Sequence, residues 1–358
     1  MKTKKITFFI QDMYSTGGTE RAVSLIANRL AEEYEVERIS LYRKNERVFY
    51  QMNPKIKVKN ILEKELLPIQ IYYPYLYRVT KNFFKDYKTD VFICAGMGMV
   101  GLTIYMRKKA KYLAWEHFNT LHGKVGGVMW LGRVLSAQYA NGVITLTKKD
   151  MELFTKRFKP KAKVYQIYNP IEMTKISDDY DGKSKLILTV GWINKQKGFD
   201  MLVEVARRVF SKHPDWEWHI YGNGPMQKKI ESLISKYSLN NNLKLMGRTN
   251  KMNELYKKYA MYVMTSRFEG FAMVNIEAHY ARLPIISFNC NCGPDEIIQD
   301  GVNGYLVRCF DIDMMANKIN YLIENPNVRM DMSSNTLLDK DKLQLENIIF
   351  KWKKIIFS

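Results

Sequence analysis

Two carboxylates, Glu269 and Glu277, stand eight residues apart around a glycine in the run Arg267-Phe268-Glu269-Gly270-Phe271-Ala272-Met273-Val274-Asn275-Ile276-Glu277. The pattern predicts a helix starting near Met273, which places Glu269 before its first turn and Glu277 about one turn inside it. Amides at a helix start have no intrahelical acceptor, so those of Phe271–Val274 could hold phosphate or sugar oxygens. A carboxylate accepts two hydrogen bonds from a diol such as a ribose, which suits Glu277, and Glu269 would then face a sugar. Taken without their surroundings, both carboxylates could equally be solvated charges at a helix end.

Cationic and glycine-rich loops accompany this pair. Gly191-Trp192-Ile193-Asn194-Lys195-Gln196-Lys197-Gly198 joins a strand to a helix and sets Lys195 and Lys197 near a helix N-terminus, a fitting pocket for a diphosphate. Gly247-Arg248-Thr249 ends another strand, where Arg248 could meet a base or a phosphate. In the first half, Gly17-Gly18 follows the first strand and opens a helix. Glycines there let backbone N–H groups approach an anion, although a plain tight turn explains them as well. The loop is neither the Gly-x-Gly-x-x-Gly of a dinucleotide site nor a P-loop. His117, in Trp115-Glu116-His117-Phe118, lies just past another strand and could accept a proton or hydrogen-bond a hydroxyl.

Short apolar runs rich in β-branched and aromatic residues must position these groups. They are Ile6–Ile10, Val36–Tyr42, Val91–Ala95, Tyr112–Trp115 and Gly142–Leu146, then Leu186–Gly191, Glu217–Tyr221, Leu243–Met246, Met261–Met264 and Pro284–Phe288. Amphipathic segments such as Gly198–Lys212 separate them, so the chain reads as right-handed βαβ units with mostly parallel sheets. The rhythm occurs twice, broken after Asn169-Pro170 by a polar stretch. The expected organisation is one domain over 1–170, a second over 171–337, and a helix within 338–358 that could pack back on the first. Doubly wound sheets bind ligands beyond the carboxyl ends of their strands, and two such domains would face a central cleft.

Composition narrows the partners. The 358 residues are 46% hydrophobic and 26% charged, an ordinary globular balance, and no run suffices for a membrane helix. Four cysteines without metal-type spacing read as small buried residues. Residues 1–170 carry 30 basic against 14 acidic side chains, and the remainder 26 against 22. A basic first half calls for an anionic partner, and with no nucleic-acid-binding motif present, nucleic acid is not expected. The aromatic and basic stretch Leu66–Lys88 could lie at an anionic membrane surface or pack into the core.

In their order along the chain, Gly-Gly-Thr-Glu-Arg at 17–21, Glu-His at 116–117, Asn-Pro at 169–170, Lys-Gly at 197–198, Gly-Asn-Gly-Pro at 222–225 and the Glu-x7-Glu block at 269–277 resemble the retaining glycosyltransferases of family 4, which have the GT-B fold. The resemblance covers nearly the whole chain, and the Glu-x7-Glu block is its specific part. It implies an α/β fold of two Rossmann-like domains, the first taking the acceptor and the second the nucleotide-sugar donor, with a UDP-sugar as the expected donor. The donor-binding set would be Gly17, Gly18, Lys197, Arg248, Glu269, Gly270, Phe271, Ala272, Met273 and Glu277. His117, Glu269 and Lys197 would carry the catalytic contacts: His117 to the transferred sugar, Lys197 to the diphosphate and Glu269 to the sugar.

No cofactor or divalent metal is implied. The acceptor would be a glycan or a lipid-diphosphate-linked chain in surface polysaccharide synthesis, placing the protein in the cytoplasm or at the inner face of the membrane. The family usually has Arg where this chain has Trp192, so Lys195 or Arg248 could supply that charge, or Trp192 could stack on another group. Another enzyme of the same fold, such as a 2-epimerase, or a non-catalytic nucleotide-sugar-binding subunit, fits the same motifs.

Overall fold

The computed structural model describes residues 4–15, 17–43, 48–66, 69–171, 180–249, 251–336 and 340–358. The chain divides into two compact units, Met1–Glu172 with Asp341–Ser358, and Met173–Lys340.

The first unit contains strands β1 (Lys5–Asp12), β2 (Glu35–Tyr42), β3 (Lys57–Leu62), β4 (Val91–Ala95), β5 (Lys111–Trp115), β6 (Gly142–Thr145) and β7 (Lys163–Gln166). Its helices before the second unit are α1 (Gly18–Leu30), α2 (Ile69–Phe83), α3 (Val100–Thr103), α4 (Val128–Tyr139) and α5 (Lys148–Phe158). The second unit contains β8 (Leu186–Val190), β9 (Glu217–Tyr221), β10 (Leu243–Gly247), β11 (Met261–Met264), β12 (Ile285–Phe288) and β13 (Gly304–Val307). Between and after them run α6 (Phe199–Phe210), α7 (Gln227–Lys236), α8 (Met252–Leu255), α9 (Met273–Tyr280), α10 (Pro294–Ile297), α11 (Ile312–Glu324) and α12 (Pro326–Asn335). The last helix, α13 (Leu345–Phe357), belongs to the first unit.

Continuous apolar strands between amphipathic helices can bury both faces only in a parallel sheet, and every strand pair here is parallel. The sheet orders are β3-β2-β1-β4-β5-β6-β7 and β10-β9-β8-β11-β12-β13. Each order therefore reverses direction once, between β1 and β4 in the first unit and between β8 and β11 in the second. Connections diverge to opposite faces at such a switch point and leave a crevice beyond the carboxyl ends, where ligands bind in open α/β sheets. Helix α6 illustrates the packing. Phe199, Leu202, Val203, Ala206, Val209 and Phe210 line its inner face at helical spacing and are buried with Trp218 and Ile220 of β9.

The strands absent from the sequence reading are β3, β7 and β13, all at sheet edges. β3 is half-exposed and interleaves Lys57 and Lys59 with its apolar positions, which protects an edge from aberrant pairing and erases the apolar run. The Leu66–Lys88 aromatics divide between the core and the exposed surface. Phe83 and Phe84 pack edge-on at 5.0 Å, and Tyr87 meets Phe84 at 5.3 Å. Outward, α2 leaves Ile71, Tyr72, Tyr75 and Tyr77 exposed beside Arg78 and Lys81. Among the described residues no helix is long and apolar enough to cross a membrane. Three of the four free cysteines are buried, and Cys309 is half-buried.

Helix α13 closes one side of the first unit. Trp352 packs against Trp115 at 4.7 Å between ring centres, Glu346 accepts from Arg29 at 2.7 Å, and Lys353 donates to Glu33 at 2.6 Å.

Candidate donor and acceptor sites

In the second unit, the loops after β8 and β11 flank the switch point and carry Lys197 and Glu269. The Lys197 ammonium donates to Glu269 Oε1 at 2.7 Å, with the lysine side chain 20% exposed and the glutamate 6%. At this half-buried position the pair is reachable from solvent while screening is weak, as a diphosphate seat requires.

Close backbone approach makes this geometry, and it explains the glycines. Gly198, at φ +68°, begins α6 with its Cα so near β11 that a Cβ would lie 2.1 Å from the Thr265 carbonyl. Gly222 is tighter still, 1.9 Å from the Gly191 carbonyl by the same measure. The loops are tied directly: Gly191 N–H donates to Tyr221 O, Ile193 N–H to Asn223 O, Gly222 N–H to Gly247 O and Arg267 N–H to Gln196 O. Arg267 adds a bidentate pair with Asp200 at 2.8 and 2.7 Å and donates to the Lys195 carbonyl at 2.8 Å, anchoring the Glu269 loop to the first turn of α6.

Helix α9 begins at Met273, with Ala272 at its N-cap offering no side-chain acceptor. Gly270, Phe271, Ala272 and Met273 form the buried start of this element, with Gly293 packed against Phe271 and Ala272. Glu277, one turn in and 7% exposed, accepts from the Tyr256 hydroxyl at 2.7 Å. Tyr256 thus holds one carboxylate oxygen in place, a role that nothing in its local sequence signals. Asn275, in the same helix, is fully buried, and neither its side-chain oxygen nor its nitrogen is hydrogen-bonded among the described residues. Arg248 is brought to none of these groups. It stands exposed past β10 with no ion pair among the described residues. Trp192 is 52% exposed in the β8 loop, presenting an aromatic face in place of a cation.

In the first unit, His117 lies just past β5 with its ring centre 4.2 Å from that of Trp115. It is nine-tenths buried, and neither ring nitrogen has a hydrogen-bond partner among the described residues. Burial pushes its pKa down to about 3. The ring is therefore neutral near pH 7, with one N–H to donate and one lone pair to accept, and it is too weak a base to draw a proton from a hydroxyl. Of the two roles open from sequence, this environment supports the hydrogen-bonding one.

Arg133, from α4, builds the loop around His117. Its guanidinium donates to Glu116 Oε2 at 2.6 Å, to the Asn119 carbonyl at 3.0 Å and to the His122 carbonyl. Glu116 also accepts from Phe118 N–H at 3.0 Å. Burial pushes the Glu116 carboxyl up to about 6 against the pull of Arg133, so the pair is ionised at neutral pH. Arg133 is 17 positions from Glu116 on an unremarkable helix, and no local pattern marked it. Gly17 and Gly18 are exposed at the start of α1, on the first unit's own switch point.

Residues 172–338 match the family described as Glycosyl transferases group 1. An uncharacterized glycosyltransferase of Haemophilus influenzae is 30% identical over 365 residues, spanning 99% of this chain and 100% of the relative. A Campylobacter jejuni relative, named as a GalNAc-alpha-(1->4)-GalNAc-alpha-(1->3)-diNAcBac-PP-undecaprenol alpha-1,4-N-acetyl-D-galactosaminyltransferase, is 26% identical over 98% of both chains. Among solved structures, the pneumococcal O-GlcNAc transferase GtfA in complex with UDP and GlcNAc superposes with a TM-score of 0.83 over 99% of both chains at 14% identity, a likeness of fold. Two parallel-sheet units of this topology, the Glu269–Lys197 switch-point pair and a full-length relative agree: the chain belongs to the group 1 glycosyltransferases, with the GT-B fold.

Proposed function

We propose that the chain is a retaining, family 4 glycosyltransferase that moves a hexose or N-acetylhexosamine from a UDP-sugar to a glycan or lipid-diphosphate-linked acceptor in surface polysaccharide synthesis. The Lys197–Glu269 pair at the second unit's switch point carries this reading. A diphosphate arriving there replaces the carboxylate as the ammonium's partner and frees Glu269 for the sugar hydroxyls. Glu277, steadied by Tyr256, takes the ribose diol. The bond from the anomeric carbon to the diphosphate oxygen breaks while the acceptor hydroxyl bonds on the same face. Its proton passes to the departing diphosphate, whose charge Lys197 and the neighbouring helix N-termini stabilise without a metal. His117 donates a hydrogen bond to the transferred sugar, and Gly17 and Gly18 offer amides to a phosphoryl group. The relatives' printed substrates, UDP with GlcNAc and an undecaprenol-linked glycan, support this choice of classes.

The purified chain is incubated with UDP-hexoses and UDP-N-acetylhexosamines, with and without a polyprenyl-diphosphate glycan. Extension of the acceptor with release of UDP and retained configuration supports the proposal. Interconversion of donor sugars without acceptor would replace it with an epimerase, and binding without turnover with a silent subunit.

A membrane location for this acceptor chemistry is supported by the exposed face of α2. Ile71, Tyr72 and Tyr75 beside Arg78 and Lys81 suit a surface of anionic lipid. The chain is expected to sediment with phosphatidylglycerol vesicles and not with phosphatidylcholine ones, and Ile71→Ser with Tyr75→Ser to lose most of that binding. Equal sedimentation of variant and parent would remove α2 from the account.

A further inference from the structure

Near the N-terminus of α1 lie Glu20 and Arg38, two charged residues that the transfer reaction above does not use. Gly17 is the N-cap of this 13-residue helix and has no side chain with which to cap it. The Glu20 carboxylate instead lies over this end of the helix, beside Gly17. A Cβ on Gly17 would lie 2.3 Å from Glu20 Oε2. Under this loop, Arg38 of β2 is fully buried, and none of its three guanidinium nitrogens has a hydrogen-bond partner among the described residues. Burial draws its pKa down to about 10 while Glu20 and Tyr14 act to raise it, so it is cationic at neutral pH. Burial in turn raises the Glu20 pKa, with Arg38 opposing. The two charges feel each other without hydrogen-bonding. A buried unpaired guanidinium is costly, and its persistence calls for a state in which it is paired.

We propose that Glu20 and Arg38 form an exchange pair for a phosphoryl group. When a phosphate reaches the exposed Gly17–Gly18 loop, it takes the amides at the start of α1, and Glu20 turns from them onto Arg38. A phosphate is favoured at a helix N-terminus and repels the carboxylate already there, and the buried guanidinium receives the displaced charge. No covalent bond changes. Arg38 never touches the ligand and is a positioning residue acting through Glu20. The ligand class is an organic diphosphate, from the nucleotide donor or the lipid-linked acceptor. This inference rests on the transferase reading for that choice.

The test is hydrogen exchange on the full chain, titrated with UDP in one arm and farnesyl diphosphate in the other. Either diphosphate is expected to protect the amides of residues 17–21, and the arm that does so names the source. Arg38→Met is expected to weaken that protection about tenfold, with Arg38→Lys recovering part of it. In the Glu20→Gln background, Arg38→Met should change it by less than about twofold, because the effect passes through Glu20. Equal loss in both backgrounds, or no protection of 17–21 by either compound, overturns the exchange pair. Protection of residues 269–277 by UDP is read in the same samples. Its presence without a response at 17–21 rejects the Arg38 inference alone, and its absence rejects the transferase reading.

Discussion

The buried and half-buried charges of the second unit's candidate site are all paired, whereas in the first unit a paired Arg133–Glu116 stands with an unpaired His117 and Arg38 among the described residues. In the second unit the charges already hold one another: Lys197 with Glu269, Arg267 with Asp200, and Glu277 with the Tyr256 hydroxyl. In the first unit, His117 and Arg38 are buried with no hydrogen-bond partner among the described residues. A pre-paired site keeps its geometry without ligand, and its occupant must substitute for a partner already present. An unpaired site stores the desolvation cost of its groups until a ligand or a rearrangement satisfies them. The Lys197–Glu269 site is thus pre-paired, while His117 and Arg38 carry an unsatisfied hydrogen-bonding capacity.

This contrast can be broken at several points, beginning with the largest expected effect. Arg133→Met leaves Glu116 buried without its cation and frees the loop around His117. A loss of about 3–5 kcal/mol in stability is expected by chemical denaturation, and a loss below about 1 kcal/mol would show that Glu116 is satisfied some other way. If His117 donates to the sugar as proposed, His117→Ala should lower kcat/KM by about ten- to a hundredfold with the fold intact. Because His117 is neutral, the rate should show no limb near pH 6.5 from its titration, and a limb abolished by His117→Ala would make it a proton carrier after all.

The same groups set the pH dependence of stability. His117 titrates at about 3 in the folded chain against 6.5 in the unfolded one, so between those values the unfolded chain binds the extra proton and stability falls as pH falls. Glu116, raised from 4.5 to about 6, acts with the opposite sign between those values. Glu37 is buried, which raises its pKa, but hydrogen bonds from Lys5, Lys59 and Tyr87 hold it down to about 2, so its contribution fades below pH 4.5. A shallow change from pH 6 to 4.5 and a steeper loss below it are expected from denaturation midpoints. His117→Phe should flatten the acid limb.

Much of this architecture was legible because buried parallel strands must be apolar on both faces, and Val91–Ala95 and Met261–Met264 declare themselves that way. The edge strands β3, β7 and β13 do not, since an edge needs polar residues where the centre needs apolar ones. Glu269, Glu277 and Lys197 were readable from local spacing beside glycines whose close approaches the structure explains. Arg133, Tyr256 and Asp200 were not, because their partners lie 17, 21 and 67 positions away and only the fold brings them together. Arg248 shows the converse, a cation in a promising loop that the structure leaves in solvent.

The Lys197–Glu269 pair is proposed as the seat of the donor diphosphate. Calorimetric titration of UDP into the parent chain and into Lys197→Met tests it most directly. At least a tenfold weakening is expected in the variant, in line with a lost charge-assisted contact, with Arg248→Met close to the parent. UDP affinity unchanged by Lys197→Met, with the variant folded, would contradict the account.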